Sequence, residues 1–468
     1  MRGGWTGRRA ALVGGAAAAV LLAAGLAAGS LGGSPSSALG AAAAPSAEPS
    51  RAPLLPALGA APGSAPTAAG LQRALAAGLT DPSLGGPVAI SVLDAVSGAP
   101  LLETRAAQVV LPASTAKIAT AVAALTALPP DGRISTRVVA GSGPGEVVVV
   151  GGGDPTLAGA RTRAAYPPVA RLSELAAQVK AALGAVPVRR VVVDDSLYAG
   201  PVLGPGWSTS YVNDGDVAPV MALQVEEGRV RPYPDKGPRV QDPALAAGTS
   251  LAALLQPAGQ PAPTVARGRA GAGARQLAEV RSPTVQQLVE MMLSRSDNDL
   301  AEALARQVAL AKGQPASFGG GAAAVQSVLA GVLPKVGAAP GSVLLADGSG
   351  LSRFDRVQPG TLTRLLSAIA GADRARYFPV LSGLPVAGFD GTLEKRFRTG
   401  PGLPAAGAVR AKTGTLNGVS ALAGLVRTRD GRLLAFDLTA DGVPAGATLA
   451  SQRALDGLAA ALAGCGCR

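Results

Sequence analysis

The sequence predicts an α/β protein of the α+β kind, interrupted by an inserted β-rich domain. Three observations carry this reading. Alternating apolar strands joined by tight turns lie near both ends of the ordered part, and helical periodicity fills the stretches between them. From Gly141 to about Gly273 the texture changes to short valine-rich strands separated by Gly/Pro turns.

Along the chain, residues 1–33 read as a signal peptide or membrane anchor: Arg2, Arg8 and Arg9 precede an uncharged Ala/Leu/Val/Gly stretch, and the next charge is Glu48. Cleavage near Ala41–Ala44 and retention in the membrane are both compatible with it. Residues 34–68, rich in Ala, Pro and Ser, form a linker that cannot build a core. Residues 69–140 and 274–468 are expected to make one discontinuous catalytic domain, with 141–273 as the insertion. An amphipathic helix over Leu71–Leu79 is followed by a hairpin, Pro87–Leu93 and Leu101–Glu103 about the turn Asp94–Gly98. After Pro112, a helix carries Ser114 and runs to about Leu125. The insertion holds strands at Glu146–Val150 and Val186–Val193 and a helix at Leu172–Leu183. Helices return at Val285–Leu293, Leu300–Leu310 and Thr361–Ile369. The chain closes with a strand carrying Lys412, a hairpin of Val419–Val426 and Leu433–Thr439 about Asp430-Gly431, and a helix from about Ala445 to Ala463.

Composition removes whole classes of chemistry. Among 468 residues there is no histidine, which excludes Ser-His-Asp and Cys-His catalysis and histidine-ligated metals. The net charge of +12 favours anionic surroundings such as membrane surfaces or acidic wall polymers. Nucleic acid is not expected as a partner, since the basic residues are scattered and no aromatic-basic motif accompanies them. The two cysteines, Cys465 and Cys467, sit in the last four residues, where a frayed tail, a local disulfide and an intermolecular link all remain open.

Three short motifs carry the chemistry. Ser114 lies three residues before Lys117 at a helix start, so the two side chains share a face and a lysine that is neutral part of the time can take the serine proton. Burial and the positive end of the helix dipole both favour the neutral amine. Ser296-Asp297-Asn298 lies between two helices, where an ordinary capped loop would also suit these residues. In the functional reading, Ser296 passes a proton to the departing amine, Asn298 bonds the substrate backbone and the lysine, and Asp297 faces away. Lys412-Thr413-Gly414-Thr415 sits on a strand, in which Gly414 implies a close approach to the backbone. Lys412 would attract a terminal carboxylate, the threonine hydroxyls would bond it, and the N–H groups of Thr415 and Ser114 would form an oxyanion hole.

These motifs, with Gly151–Leu157, Asp194–Tyr198, Pro205–Trp207, Asp347–Arg353, Leu384–Gly388 and Asp390–Leu393, resemble the D-alanyl-D-alanine carboxypeptidase/endopeptidase family, the low-molecular-mass class C penicillin-binding proteins of peptidase family S13. The 178 residues between Lys117 and Ser296 fit that family and exceed the gap of class A β-lactamases. The resemblance implies a serine β-lactamase/D,D-peptidase-like transpeptidase fold, with a mainly antiparallel sheet flanked by helices. It implies Ser114, Lys117, Ser296, Asn298 and Lys412 as catalytic residues, and Thr413, Gly414, Thr415 and Leu416 at the substrate. Asp194 (with Asp195 as a rival), Tyr198 and Arg353 would contact the stem-peptide side chain; a polar pocket of Asp194 and Arg353 would suit a diaminopimelate-type stem. The implied substrates are peptidoglycan stem peptides, with β-lactams as covalent inhibitors, no metal or organic cofactor, and action outside the cytoplasm. A class A-like β-lactamase and a catalytically silent envelope-binding protein of the same fold are the alternatives.

Overall fold

The computed structural model describes residues 63–159, 167–231, 237–371 and 373–466. The expected signal or anchor segment lies outside these residues, as do most of the linker and Cys467. Among the described residues no helix is long and apolar enough to cross a membrane.

Helix α1 (Ala68–Leu79) is capped by the Thr67 hydroxyl, which accepts the Gly70 N–H at 3.1 Å. Strands β1 (Ala89–Asp94) and β2 (Pro100–Thr104) form the first hairpin. The Asp94 carboxylate accepts the N–H groups of Val96 and Ser97 and thereby closes the turn. A 3₁₀ turn at Ala113–Ala116 then runs into helix α2 (Lys117–Ala127), so Ser114 sits in a tighter turn ahead of the α-helix.

The chain next builds a second sheet from β3 (Arg133–Ala140), β4 (Glu146–Val150), β5 (Arg190–Asp194), β6 (Thr264–Arg267) and β7 (Gln276–Thr284). Between them lie α3 (Leu172–Leu183), the single turn α4 (Tyr211–Asp214) and α5 (Pro243–Leu255). The strand order is β6-β5-β4-β3-β7. The β4–β5 and β5–β6 pairs are parallel, as the unbroken valine runs of β4 and β5 suit, and α3 and α5 cover one face. This sheet reaches beyond the expected 141–273 on both sides, because β3 and β7 alternate polar and apolar residues and lack the valine texture of β4 and β5. Residues 186–189 do not continue β5: Val186 N–H returns to Leu183 O, and Pro187 has no N–H to give a ladder.

Strand β7 leads into α6 (Val285–Arg295) through a capping box of Thr284 and Gln287, and α7 (Asn298–Ala311) and α8 (Phe318–Val332) follow. After a small ribbon, β8 (Val343–Leu344) with β9 (Arg356–Val357), come α9 (Pro359–Ala370) and α10 (Arg374–Gly383). Strands β10 (Val409–Leu416), β11 (Val419–Arg427) and β12 (Leu433–Ala440) and helix α11 (Thr448–Ala463) end the fold. The main sheet is antiparallel throughout, in the order β10-β11-β12-β1-β2.

The pleat of this sheet separates two cores. Leu422, Phe436 and Leu438 face α1 and α11, while Ala423, Leu425 and Ala435 face the layer of α2, α6, α7, α8, α9 and α10. Within that helical layer Arg306 is fully buried, paired with Glu302 at 2.9 Å and stacked 4.1 Å from the Phe318 ring centre. Burial and the neighbouring Asp347 raise Glu302 to about 7, so a partnerless Glu302 relieves part of its cost by protonation.

Arg306→Ala should therefore destabilise the fold by about 3 kcal/mol, at the lower end for a broken buried pair. The double change Glu302→Gln with Arg306→Met should recover most of that loss in a denaturant titration.

Candidate active site

Ser114 owes its position to two strained approaches. Ala113 before it adopts φ 48°, outside the usual range for a residue with a Cβ, and Gly350 (φ 82°) packs so closely that a Cβ there would stand 2.0 Å from the Ala113 carbonyl oxygen. On the other side, a Cβ on Gly414 would meet the Pro112 carbonyl oxygen at 2.7 Å. The close approach that Gly414 signals in the sequence is thus made by the Ser114 turn itself, and glycine sets how near β10 comes to the serine.

Lys117 is wholly buried and donates three hydrogen bonds: to Ser114 Oγ at 2.9 Å, to Asn298 Oδ1 at 2.6 Å and to the Ser349 carbonyl at 2.6 Å. Burial pushes its ammonium down to about 8, against the opposing pull of Asp347, Asp297, Glu302 and Asp355. The Ser349 carbonyl is delivered by a turn wound around Asp347, whose carboxylate accepts the N–H groups of Ser349, Gly350 and Ser352 and the indole N–H of Trp207.

Ser296 ends α6 in the left-handed region (φ 57°), and Asp297 then caps α7 by accepting Leu300 N–H at 2.9 Å. The ordinary capping role is therefore real, and it is what turns Ser296 and Asn298 to the same side as the lysines. Lys412 Nζ donates to Ser296 Oγ at 2.7 Å and to Thr413 O at 2.9 Å. Burial, reinforced by the charge of Lys117, holds Lys412 well below the usual lysine range. Thr413 donates to Thr392 Oγ1 at 3.0 Å, and Thr415 accepts from Gln452 at 3.1 Å.

The structure thus brings together Ser114, Lys117, Ser296, Asn298, Lys412, Thr413, Gly414 and Thr415. The expected side-chain pocket is less united. Asp194 is committed to Ser196 and to Ala270 N–H, and with Ser135, Arg137, Gly151 and Gly152 it lines a cleft of the second sheet. Asp195 pairs with Arg267. Arg353 instead donates to Asn417 O at 3.0 Å beside the end of β10, and no described contact joins it to Asp194. Tyr198 packs with Leu416, Ala113 and Phe318 in an apolar cluster, its hydroxyl reaching the Gly153 carbonyl. Sequence reasoning passed over Asp216, whose carbonyl accepts Asn298 Nδ2 at 2.8 Å, and Gln452, since neither stands in a motif. Ser349 and Thr392 lay inside segments already singled out, but their contacts did not show there.

Fold and site together set a buried lysine beside the Ser114 hydroxyl, an arrangement suited to serine acyl transfer. The model of the D-Ala-D-Ala carboxypeptidase 3 (S13) family matches residues 71–238 and 234–462, and the chain belongs to that family. It is 40% identical over 403 residues to carboxypeptidase DacB of Mycolicibacterium smegmatis, covering 85% of each chain. It is 29% identical over 465 residues to the D-alanyl-D-alanine carboxypeptidase of an Actinomadura strain, covering 81% of this chain and 82% of that one. The crystal structure of penicillin binding protein 4 from Haemophilus influenzae shares the fold, with a TM-score of 0.67 at 23% identity over 84% of this chain and 97% of that one. The expected family and α+β class are both shown, and as a member the protein is a serine-type D-Ala-D-Ala carboxypeptidase.

Gly414→Ala should cost about 1–3 kcal/mol, because the clash is with backbone and the strand or the serine turn must move. Thermal unfolding read beside a crystal structure of the variant would show β10 displaced from Ser114.

Proposed function

We propose that the protein removes the terminal D-Ala from peptidoglycan stem peptides through an acyl-enzyme on Ser114, outside the cytoplasm, and that β-lactams acylate the same oxygen. The hydrogen-bonding of Lys117 carries this reading. As an ammonium it uses all three N–H groups on Ser114, Asn298 and Ser349. On losing one proton it keeps two for Asn298 and Ser349, and its lone pair faces the serine hydroxyl. Neutral Lys117 is then a base aimed at one atom.

In the proposed cycle, Ser114 Oγ bonds to the carbonyl carbon of the penultimate D-Ala while its proton passes to Lys117. The developing oxyanion lies between the N–H groups of Ser114 and Thr415. The peptide C–N bond breaks as Lys117 gives up that proton, which reaches the leaving D-Ala amine through Ser296, held in place by Lys412, so Lys117 is neutral again. A water then attacks the ester carbon and gives a proton to Lys117, which returns it to Ser114 Oγ as the ester C–O bond breaks and the shortened peptide leaves. The terminal carboxylate pairs with Lys412 and the hydroxyls of Thr413 and Thr415. That anion would keep Lys412 protonated against its burial and the charge of Lys117.

The β-lactam part rests on the family and on a relative, since penicillin binding protein 4 of H. influenzae has been seen in complex with a β-lactam. Residues from about 133 to 284 are proposed as an inserted domain, with 69–132 and 285–468 as the catalytic domain. The N-terminal residues 1–33 are proposed to direct export or to anchor the chain at the membrane. Arg353, next to Asn417 at the end of β10, is the best placed of the expected side-chain contacts; Tyr198 and Leu416 would act from the apolar wall behind it. Asp194, tied into its own turn, would meet only a substrate long enough to reach the second sheet. A crosslinked stem offers that length, which makes endopeptidase cleavage the second reading.

Fluorescent penicillin should label wild-type protein covalently and leave Ser114→Ala unlabelled at an unchanged unfolding midpoint; label on the variant would overturn the assignment. Mass spectrometry of defined muropeptides should show loss of one D-Ala from monomers. Because the active base is the unprotonated amine, acylation should rise about tenfold per pH unit below the Lys117 value of about 8 and level off above it. A flat profile from about pH 6 to about pH 9 would remove Lys117 from the role.

A further inference from the structure

Behind the Ser296-Asp297-Asn298 turn lies a buried charge cluster with no part in the proposed chemistry. It is reached through unusual backbone: Glu226 (φ 53°), Glu227 (φ 54°) and Gly228 (φ 62°) form three successive residues in the left-handed region, two of them with a Cβ. Such a run is strained and persists only where its surroundings demand it. Its effect is to turn Glu227 inward, to 5% exposure.

There the Glu227 carboxylate meets Arg229 at 2.6 Å and Arg239 at 3.5 Å. Arg239, itself 4% exposed, ties several strands of the network together. It donates to the Glu227 carbonyl at 2.6 Å, to the Gly215 carbonyl from Nε at 3.3 Å and Nη2 at 3.2 Å, and pairs with Asp299 at 3.6 Å. Asp299 in turn accepts Ala218 N–H at 3.1 Å. The segment from Gly215 to Ala218 is thus held at both ends, and between them the Asp216 carbonyl receives Asn298 Nδ2. The other end of that amide, Oδ1, receives Lys117. A divalent cation is a poor occupant for Glu227, Asp297 and Asp299, although their carboxylates lie within 4.8 Å of one another, because the two arginines already supply the positive charge.

We infer that Glu227 and Arg239 are positioning residues for the reaction at Ser114, clamping the Gly215–Ala218 segment so that Asp216 orients the Asn298 amide and, through it, Lys117. The inference rests on the acyl-enzyme reading above. It also makes the inserted domain part of the catalytic machinery, since it supplies both clamp residues and the carbonyl they steady. Four ionisable groups face Glu227: Arg229, Arg239, Asp297 and Asp299. Burial, then the adjacent Asp297 charge, raises Glu227 to about 8, while its hydrogen bond lowers Asp297 against the opposing effect of burial. One proton held on Glu227 and shared with Asp297 therefore belongs to the clamped state at neutral pH.

The test is single-turnover acylation of the full chain by fluorescent penicillin, normalised to the folded fraction measured by circular dichroism. Glu227→Ala and Arg239→Lys should each slow acylation about tenfold or more near neutral pH, with the non-covalent affinity for penicillin changed by less than about twofold. Glu227→Gln, which keeps the shape of the protonated acid, should stay within about threefold of wild type at that pH. The ratio of wild-type to Glu227→Gln rate, in which the Lys117 titration cancels, should then fall as pH rises through about 8. Wild-type labelling with Glu227→Ala and Arg239→Lys within about twofold of it, or slowed only in step with unfolding, would overturn the clamp. Parallel pH profiles for wild type and Glu227→Gln would overturn the shared proton, and a wild-type protein that takes no label would overturn both this inference and the acyl-enzyme.

Discussion

A cation buried without water must find all its hydrogen bonds in the protein, and Lys117 does so from three separate parts of the chain. Ser114 comes from its own turn, Asn298 from the start of α7, and Ser349 from the turn after α8. Because the ammonium has only three protons, these acceptors cannot move independently: shifting any one leaves a buried donor unpaired. Much of the surrounding structure can be understood as holding these three acceptors. Gly350 and Gly414 let the Ala113 and Pro112 carbonyls approach, the Asp347 carboxylate winds the turn that presents Ser349, and the Asp297 cap starts the helix that presents Asn298.

The electrostatics follow from the same burial. Two lysines, Lys117 and Lys412, are buried in one site, and each is pushed toward its neutral form by lost solvation. Left alone, that would make both poor cations. Carboxylates behind Lys117, from Asp347, Asp297, Glu302 and Asp355, oppose its loss of charge, whereas Lys412 has chiefly the repulsion of Lys117. The asymmetry suits one lysine to exchange a proton within the protein and the other to await an anion from outside. Burial, and after it the Asp347 charge, holds acids of this region above their usual range, with Glu302 at about 7 and Asp355 at about 9.

The inserted sheet has a mechanical role in this picture. Its strands β3 and β7 follow α2 and lead into α6, so the chain leaves and re-enters the helical layer at the ends of these helices away from Lys117 and Ser296. The connecting segments between β5 and β7 lie against the Asp297–Asp299 turn through Asp216, Ala218, Glu227 and Arg239. In the sequence this stretch reads as an inserted domain whose Asp194 and Tyr198 would contact the stem-peptide side chain. Its contacts place it behind Asn298 as well.

What the sequence determined by itself was local or carried by neighbouring residues. Period-2 alternation marked β1, and the Asp430-Gly431 turn between apolar runs marked β11 and β12; helical periodicity marked α3, α6, α7 and α9; and three motifs named Ser114, Lys117, Ser296, Asn298 and Lys412, with the absent histidine leaving lysine as the expected base. What only the tertiary structure decided depends on groups distant in the chain. It showed that Gly414 spaces a strand from the serine turn, that Asp194 and Arg353 do not meet, and that Asp216 and Gln452 bond the site. A backbone carbonyl has no signature in a single sequence, because any residue brings the same carbonyl, and a glycine such as Gly414 signals a close approach without naming what approaches; only the partner's position gives either its meaning. The buried contacts of Lys117 with residues 181 and 232 positions away are of that kind, and they are what set an ordinary serine–lysine spacing into one buried hydrogen-bond network.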